Sequence, residues 1–307
     1  MPRFARALAS LIPPALLVLV AGAAPQEPTE VHPDWRQATA FDAGNKLGGC
    51  AVGDFDPARP GTEIAVVAGD GRVIEVFVDA DSETGWGHVV LGTLPGEAIQ
   101  CALGDLLPDR PGLELVTVGV AEGTEDGGGG GLAVLWRPGA DGAGWTSEPL
   151  LEDSALIHAV AIGDVDPTRE GDEVVLAGFS GVVHVGGLDA EGAIGWQEYA
   201  LASEGPPEPR GNVKGAAAGL GGVVLACDDG SLLRLAKRDG AWTLDELARW
   251  ADAPLARVAA DADGVLVCAN DGVLRYRQVA KGGGVTSTSN AARVEDRLRG
   301  AVIADLD

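Results

Sequence analysis

Beyond residue 46 the chain is a succession of short apolar runs, each bounded by glycine, proline or aspartate. The clearest are IAVVA at 64–68, LVTVG at 115–119, VVLAG at 174–178, VVLAC at 223–227 and VLVCA at 265–269. All are strand-length, and the polar alternation around them has period two rather than 3.6, which predicts β-strands. Four of the five runs lead into a turn pair: Asp70-Gly71, Ser180-Gly181, Asp229-Gly230 and Asp271-Gly272. Such pairs tolerate positive φ and close hairpins. In the second unit a glycine-rich loop around Gly127 to Gly131 stands in place of the turn.

One phrase recurs in register: GDFDPARPGTE from Gly53, GDLLPDRPGLE from Gly104 and GDVDPTREGDE from Gly163. Degenerate copies begin at Gly215 and Arg257, and AVIADLD at 301–307 resembles the opening of another, so about six repeats are recognisable. Each unit reads as one apolar run before the loop, two after it, and a fourth led by Trp86, Trp145, Trp196 or Trp242. Four short antiparallel strands repeated about every 40 to 60 residues define a blade of a β-propeller, an all-β ring in which neighbours cover each other's faces. Residues 35–41 resemble an outermost strand and 301–307 an innermost one, yet the two middle strands of a shared closing blade are missing. The expectation is therefore a propeller over 35–307, with five complete blades and a partial closing blade. On this reading the chain is truncated at its C-terminus and the complete protein has seven blades; a six-bladed ring with one defective blade is the rival.

Composition narrows the partners. Asp and Glu total 46 against 22 Lys and Arg, a formal charge of −24, which repels a phosphate backbone and excludes nucleic acid. Cations, neutral glycans and basic protein surfaces remain. Arg3 and Arg6, an apolar run at 7–20 and Ala21-Gly22-Ala23 predict a cleavable leader at 1–23, followed by a linker at 24–34. No later segment is apolar enough to span a membrane, so the mature chain is expected to be secreted or held in the periplasm or cell envelope.

An apolar strand ending in Gly-Asp-x-Asp, then glycine and an acid before the next strand, resembles the FG-GAP and VCBS repeats of integrin-α-like propellers over residues 48–307. The resemblance implies adhesion or ligand binding, or in some members polysaccharide lyase activity, and calcium in the loop between the first two strands. Asp54, Asp56 and Glu63 match the metal positions, as do Asp164, Asp166 and Glu173, but the loops lack the middle carboxylate and Leu107 replaces an acid in the second. Arg59, Arg110 and Arg169 lie in the same loops. A guanidinium there competes with a divalent ion and favours loop salt bridges, with Asp105 and Glu114 as partners in the second unit.

Cys50 and Cys101 share one repeat position and Cys227 and Cys268 another, which reads as small buried residues rather than a redox or zinc motif. His32, His88 and His184 carry no catalytic spacing. His158 differs because it opens an innermost strand, where Lys214 and Arg299 are its equivalents and Gly48, Ile99 and Leu255 occupy the remaining units; Gln100 and Arg257 are close by in sequence. These five polar residues are the candidate ligand site, a cation-rich channel mouth suited to a carboxylate. The functional expectation is a secreted, noncatalytic module binding an extracellular glycan, peptide or protein. A secreted carbohydrate-active enzyme of lyase type is the alternative.

Overall fold

The computed structural model describes residues 16–17, 41–59, 61–110, 112–121, 130–139, 144–201, 211–262, 264–279, 285–293 and 302–303. It is all-β among these residues, and its main body is a ring of five four-stranded antiparallel sheets. Blade 1 comprises Leu47–Gly53, Glu63–Ala68, Arg72–Val78 and Trp86–Thr93. Blade 2 comprises Ala98–Gly104, Glu114–Val120, Gly131–Pro138 and Trp145–Asp153. Ile157–Gly163, Glu173–Gly178, Val182–Leu188 and Ile194–Ala200 form blade 3, and Val213–Gly219, Gly222–Cys227, Ser231–Arg238 and Ala241–Arg249 form blade 4. Blade 5 is Leu255–Ala260, Gly264–Ala269, Val273–Val279 and Val285–Arg293. In every sheet the strands pair in sequence order, as the turn pairs require: Gly71, Gly181, Gly230 and Gly272 all have positive φ.

The described residues form five complete blades, as many as the sequence predicts for this chain, but the six or seven blades expected for the ring are not matched. Of the anticipated next innermost strand, only Val302–Ile303 is described; it packs beside the first strand of blade 5 and pairs with Leu16–Leu17, two residues inside the expected leader. The anticipated outermost strand at 35–41 lies outside the described residues except for Phe41. That ring meets His88 at 4.5 Å with a 43° tilt and packs on the outer face of blade 1. The linker at 24–34 and the loops at 122–129 and 202–210 are likewise outside them.

The core is a set of wedges between successive blades. In Glu173–Gly178 every residue is buried. Val175 and Ala177 pack toward blade 4, whereas Val174 and Leu176 pack toward blade 2. Burial on both faces is why the second strands read as continuous apolar runs without alternation. Trp145, Trp196 and Trp242 seat against these wedges, and Trp86 against the outer cluster of blade 1, so the fourth-strand tryptophans serve blade packing.

The first glycine of the repeated phrase marks where the next blade arrives. A methyl group on Gly104 would collide with Ile162, one on Gly163 would lie 2.6 Å from Ala218 Cβ, and one on Gly219 would lie 2.7 Å from Ala260 Cβ. At Gly53 the obstacles are the Leu113 and Leu103 side-chain ends at 3.2 and 3.4 Å, which can yield. Gly104→Ala should therefore destabilise the fold by about 1–3 kcal/mol through overpacking, and Gly53→Ala by clearly less, in urea denaturation. Neither glycine has positive φ, so equal losses would mean that close approach between blades is not what excludes a side chain.

Candidate functional site

Every innermost strand opens with a β-bulge. The register shifts between Leu47 and Cys50, Ala98 and Gln100, Ile157 and Ala159, Val213 and Gly215, and Leu255 and Arg257. The extra residue is thus Ile99 in blade 2, His158 in blade 3, Lys214 in blade 4 and Ala256 in blade 5. The sequence alignment had placed Leu255 at this level, one residue early, because a bulge leaves no mark in a period-two pattern. Bulges re-aim side chains, and here they gather one mouth of the ring.

Of the five residues expected at that mouth, His158 and Lys214 occupy this bulge level, Gln100 and Arg257 hold the position directly after it, and Arg299 lies outside the described residues. Arg257 spans the opening. Its Nη1 donates to the Lys214 carbonyl at 2.6 Å and the Ala256 carbonyl at 2.8 Å, and Nη2 reaches the Ile99 carbonyl at 3.4 Å. Gly49, Gln100, Ala159 and Gly215 share its register level, so the small residues leave room for the two long side chains. His158 Nδ1 lies 3.1 Å from the Lys214 carbonyl. Arg257 Nη1 lies 3.4 Å from the same ring nitrogen, so the carbonyl calls for a hydrogen there and the guanidinium for a lone pair. Burial, followed by the charges of Arg257 and Lys214, lowers the His158 pKa to about 3.

Phe179 completes the cluster. Its ring stacks on His158 at 5.9 Å with a 10° interplanar angle, and Lys214 Nζ sits 3.9 Å from its centroid. Asp228 Oδ2 is 3.9 Å from the same ammonium and accepts a hydrogen bond from Asn212. Desolvation lowers the Lys214 pKa, with Asp228 opposing the shift. Phe179 was not anticipated, although a signal exists. The backbone N–H groups of Gly69, Phe179, Asp228 and Asn270 make the same hydrogen bond to the start of their blades. Only blade 3 puts an aromatic ring there.

At the other end of the innermost strands the acids repeated from blade to blade have structural duties. Glu63 Oε2 accepts from the N–H groups of Phe55 and Asp56, Glu114 Oε2 from Leu106 and Leu107, and Glu173 Oε2 from Val165 and Asp166. Burial raises the pKa of all three carboxyls against the pull of these donors. Arg59 joins Asp56 to the fully buried Glu75 and lies over Phe77. Asp166 accepts from Thr168 and, at 2.7 Å, from Lys237 of blade 4, with Arg169 Nε 3.7 Å away.

The expected Arg110 bridge is not formed: among the described residues Arg110 pairs with neither Asp105 nor Glu114, because Leu107 stands where blades 1 and 3 carry the accepting aspartate. Asp105 instead donates its backbone N–H to Asp172 of blade 3. These loops do not fit calcium. The ion takes about six to eight oxygens; of the six expected ligands, Glu63, Asp56, Glu173 and Asp166 direct oxygens to amides and cations, while Asp54 and Asp164 stand exposed.

Cys50, Cys101, Cys227 and Cys268 are not joined in disulfides among the described residues. Burial holds Cys50 and Cys268 up at about 12 and Cys101 well above its usual value, so these three are poor nucleophiles. His184, which carries no catalytic spacing in the sequence, ties blade 3 to blade 2 through Asp153 at 3.2 Å. A scan against protein-family models finds no match for this chain, and a search of curated proteins finds no relative.

Two measurements follow. Arg59→Ala, which strips Glu75 of its cation, should cost about 2–4 kcal/mol, whereas a chelator should leave the melting temperature unchanged; a chelator-induced drop would reverse the assignment of these loops. Between the ordinary imidazole value and about 3, the unfolded chain binds a proton at His158 that the folded chain does not. Stability is thus lost as pH falls through that window. His158→Gln should narrow the difference in urea midpoint between about pH 7 and about pH 4.5, and an unchanged difference would refute the buried neutral imidazole.

Proposed function

We propose that this chain is an exported, noncatalytic β-propeller module of FG-GAP/VCBS type, secreted or retained in the periplasm or cell envelope, that binds an extracellular ligand at the channel mouth formed by blades 2 to 5. One observation carries this reading: in a chain of charge −24, Lys214, Arg257 and His158 converge at a single opening beside the exposed ring of Phe179. A local positive potential in an acidic surround selects anionic groups on glycans, peptides or proteins and steers their approach. The loops at the opposite end act as carboxylate-capped struts without calcium.

Lyase chemistry finds less support. A base that abstracts a proton works best with a pKa near the working pH, and His158 is held at about 3.

A glycan and acidic-peptide array probed with the wild-type chain and Lys214→Ala tests the proposal. Ligands should be retained by the wild type and weakened about tenfold or more by the substitution, with unchanged melting temperature and no unsaturated sugar released. Binding indifferent to Lys214, or turnover of a polysaccharide, would overturn it.

A further inference from the structure

We propose a second binding site, separate from the mouth: in the wedge between blades 4 and 5, Arg277 takes a carboxylate, with the Trp250 indole as the wall beside it. The third strand of blade 5 builds it. Arg275 and Arg277 pair with Val267 and Val265, which pack in the wedge toward blade 4, so both arginines lie on that face. Trp250 stands in the connection between the two blades. Its N–H donates to the Gly230 carbonyl, its own carbonyl accepts from the Ala253 N–H, and its side chain packs against the same wedge. The guanidinium carbons of Arg275 and Arg277 lie 5.5 and 5.7 Å from the centre of that one ring, so the three side chains converge.

The two arginines differ in what they hold. Arg275 is buried and gives both terminal nitrogens to Asp271, at 3.1 and 2.5 Å. Arg59, Arg72, Arg137 and Arg234 are likewise drawn partly out of water against a carboxylate. Arg277 is half-buried too, and burial lowers its pKa, yet no acid pairs with it among the described residues. Of its nitrogens Nε alone is sealed from solvent without a partner, so Nη1 and Nη2 stay open to an incoming group. A partly desolvated guanidinium without a counter-charge is costly, and in a chain of charge −24 acids are plentiful. Uncompensated features of this kind belong to functional sites.

The open group selects its ligand by shape and by charge. A guanidinium is planar and presents parallel N–H donors that match the two oxygens of a carboxylate. One unpaired cation neutralises one charge. Phosphate and multiply acidic peptides carry more, and the acidic surround repels the surplus. A single carboxylate leaves none. Amides and neutral sugars bring no charge to offset the desolvated cation, and the indole beside it lowers the local dielectric, which strengthens a charged pair over a neutral one.

Propionate, propionamide, glucuronate, glucose and inorganic phosphate, titrated into the full chain while the indole N–H signal of Trp250 is followed by NMR, test the site; Trp250→Phe identifies the signal. Both carboxylates should shift it and bind tighter than their neutral counterparts by about tenfold or more. Arg277→Gln should abolish the response, Arg277→Lys, which keeps the charge without the fork, should weaken it, and Lys214→Ala should leave it intact. Arg277→Met should hold or raise the melting temperature, because it removes an unpaired, partly buried charge. No shift with either carboxylate, an equal response to propionamide, tighter binding of phosphate, or a response that survives Arg277→Gln would overturn the assignment. A fall in melting temperature on Arg277→Met would also overturn it, by marking a brace between blades. Loss of the response in Lys214→Ala would move it to the mouth and overturn it as well, whereas the mouth-binding reading stands or falls on its own array.

Discussion

Consecutive innermost strands come so close at their Gly-Asp ends that the residue facing the next blade has no space for a side chain. This contact sets the angle between sheets, because the two surfaces meet near the axis and diverge outward into wedges filled by valine, leucine and tryptophan. Hydrophobic burial supplies the driving force, but it is indifferent to angle. Ile162 over Gly104 and Ala218 over Gly163 make the arrangement specific. The loops reinforce it across the joints: Asp172 reaches back to Asp105, and Lys237 reaches back to Asp166.

The repeat architecture was legible because one physical problem recurs at each joint and has one solution. The triplicate phrase from Gly53, Gly104 and Gly163 records the close approach, the turn and the buried glutamate that caps two amides. Blades 4 and 5 were legible from apolar runs alone, although their tight turns dispense with the capped loop. Blade number was not, since counting repeats assumes that each opening run is followed by its partners, and among the described residues of the last run Val302–Ile303 alone stands beside blade 5.

The candidate site was legible in its charges and obscure in its geometry. His158 and Lys214 were found because they share a repeat position, and Gln100 and Arg257 only as sequence neighbours; the bulge places those two at the next level, from which Arg257 reaches across to the Lys214 and Ile99 carbonyls. Phe179 escaped notice because a turn residue is ordinarily read for its backbone and not for its ring. The calcium resemblance rested on carboxylates at familiar spacings, and spacing does not reveal that the donors to those oxygens are main-chain amides and the cations of Arg59 and Lys237.

Arg257 has a consequence for how the mouth can diversify. Three of the oxygens it grips belong to the main chain, and peptide carbonyls are present whatever side chain evolution installs beside them. The brace across the axis therefore tolerates drift at Ile99, Lys214 and Ala256, while those same positions remain free to vary what the opening recognises. Scaffold and selectivity are thereby encoded separately, at neighbouring atoms of the same residues.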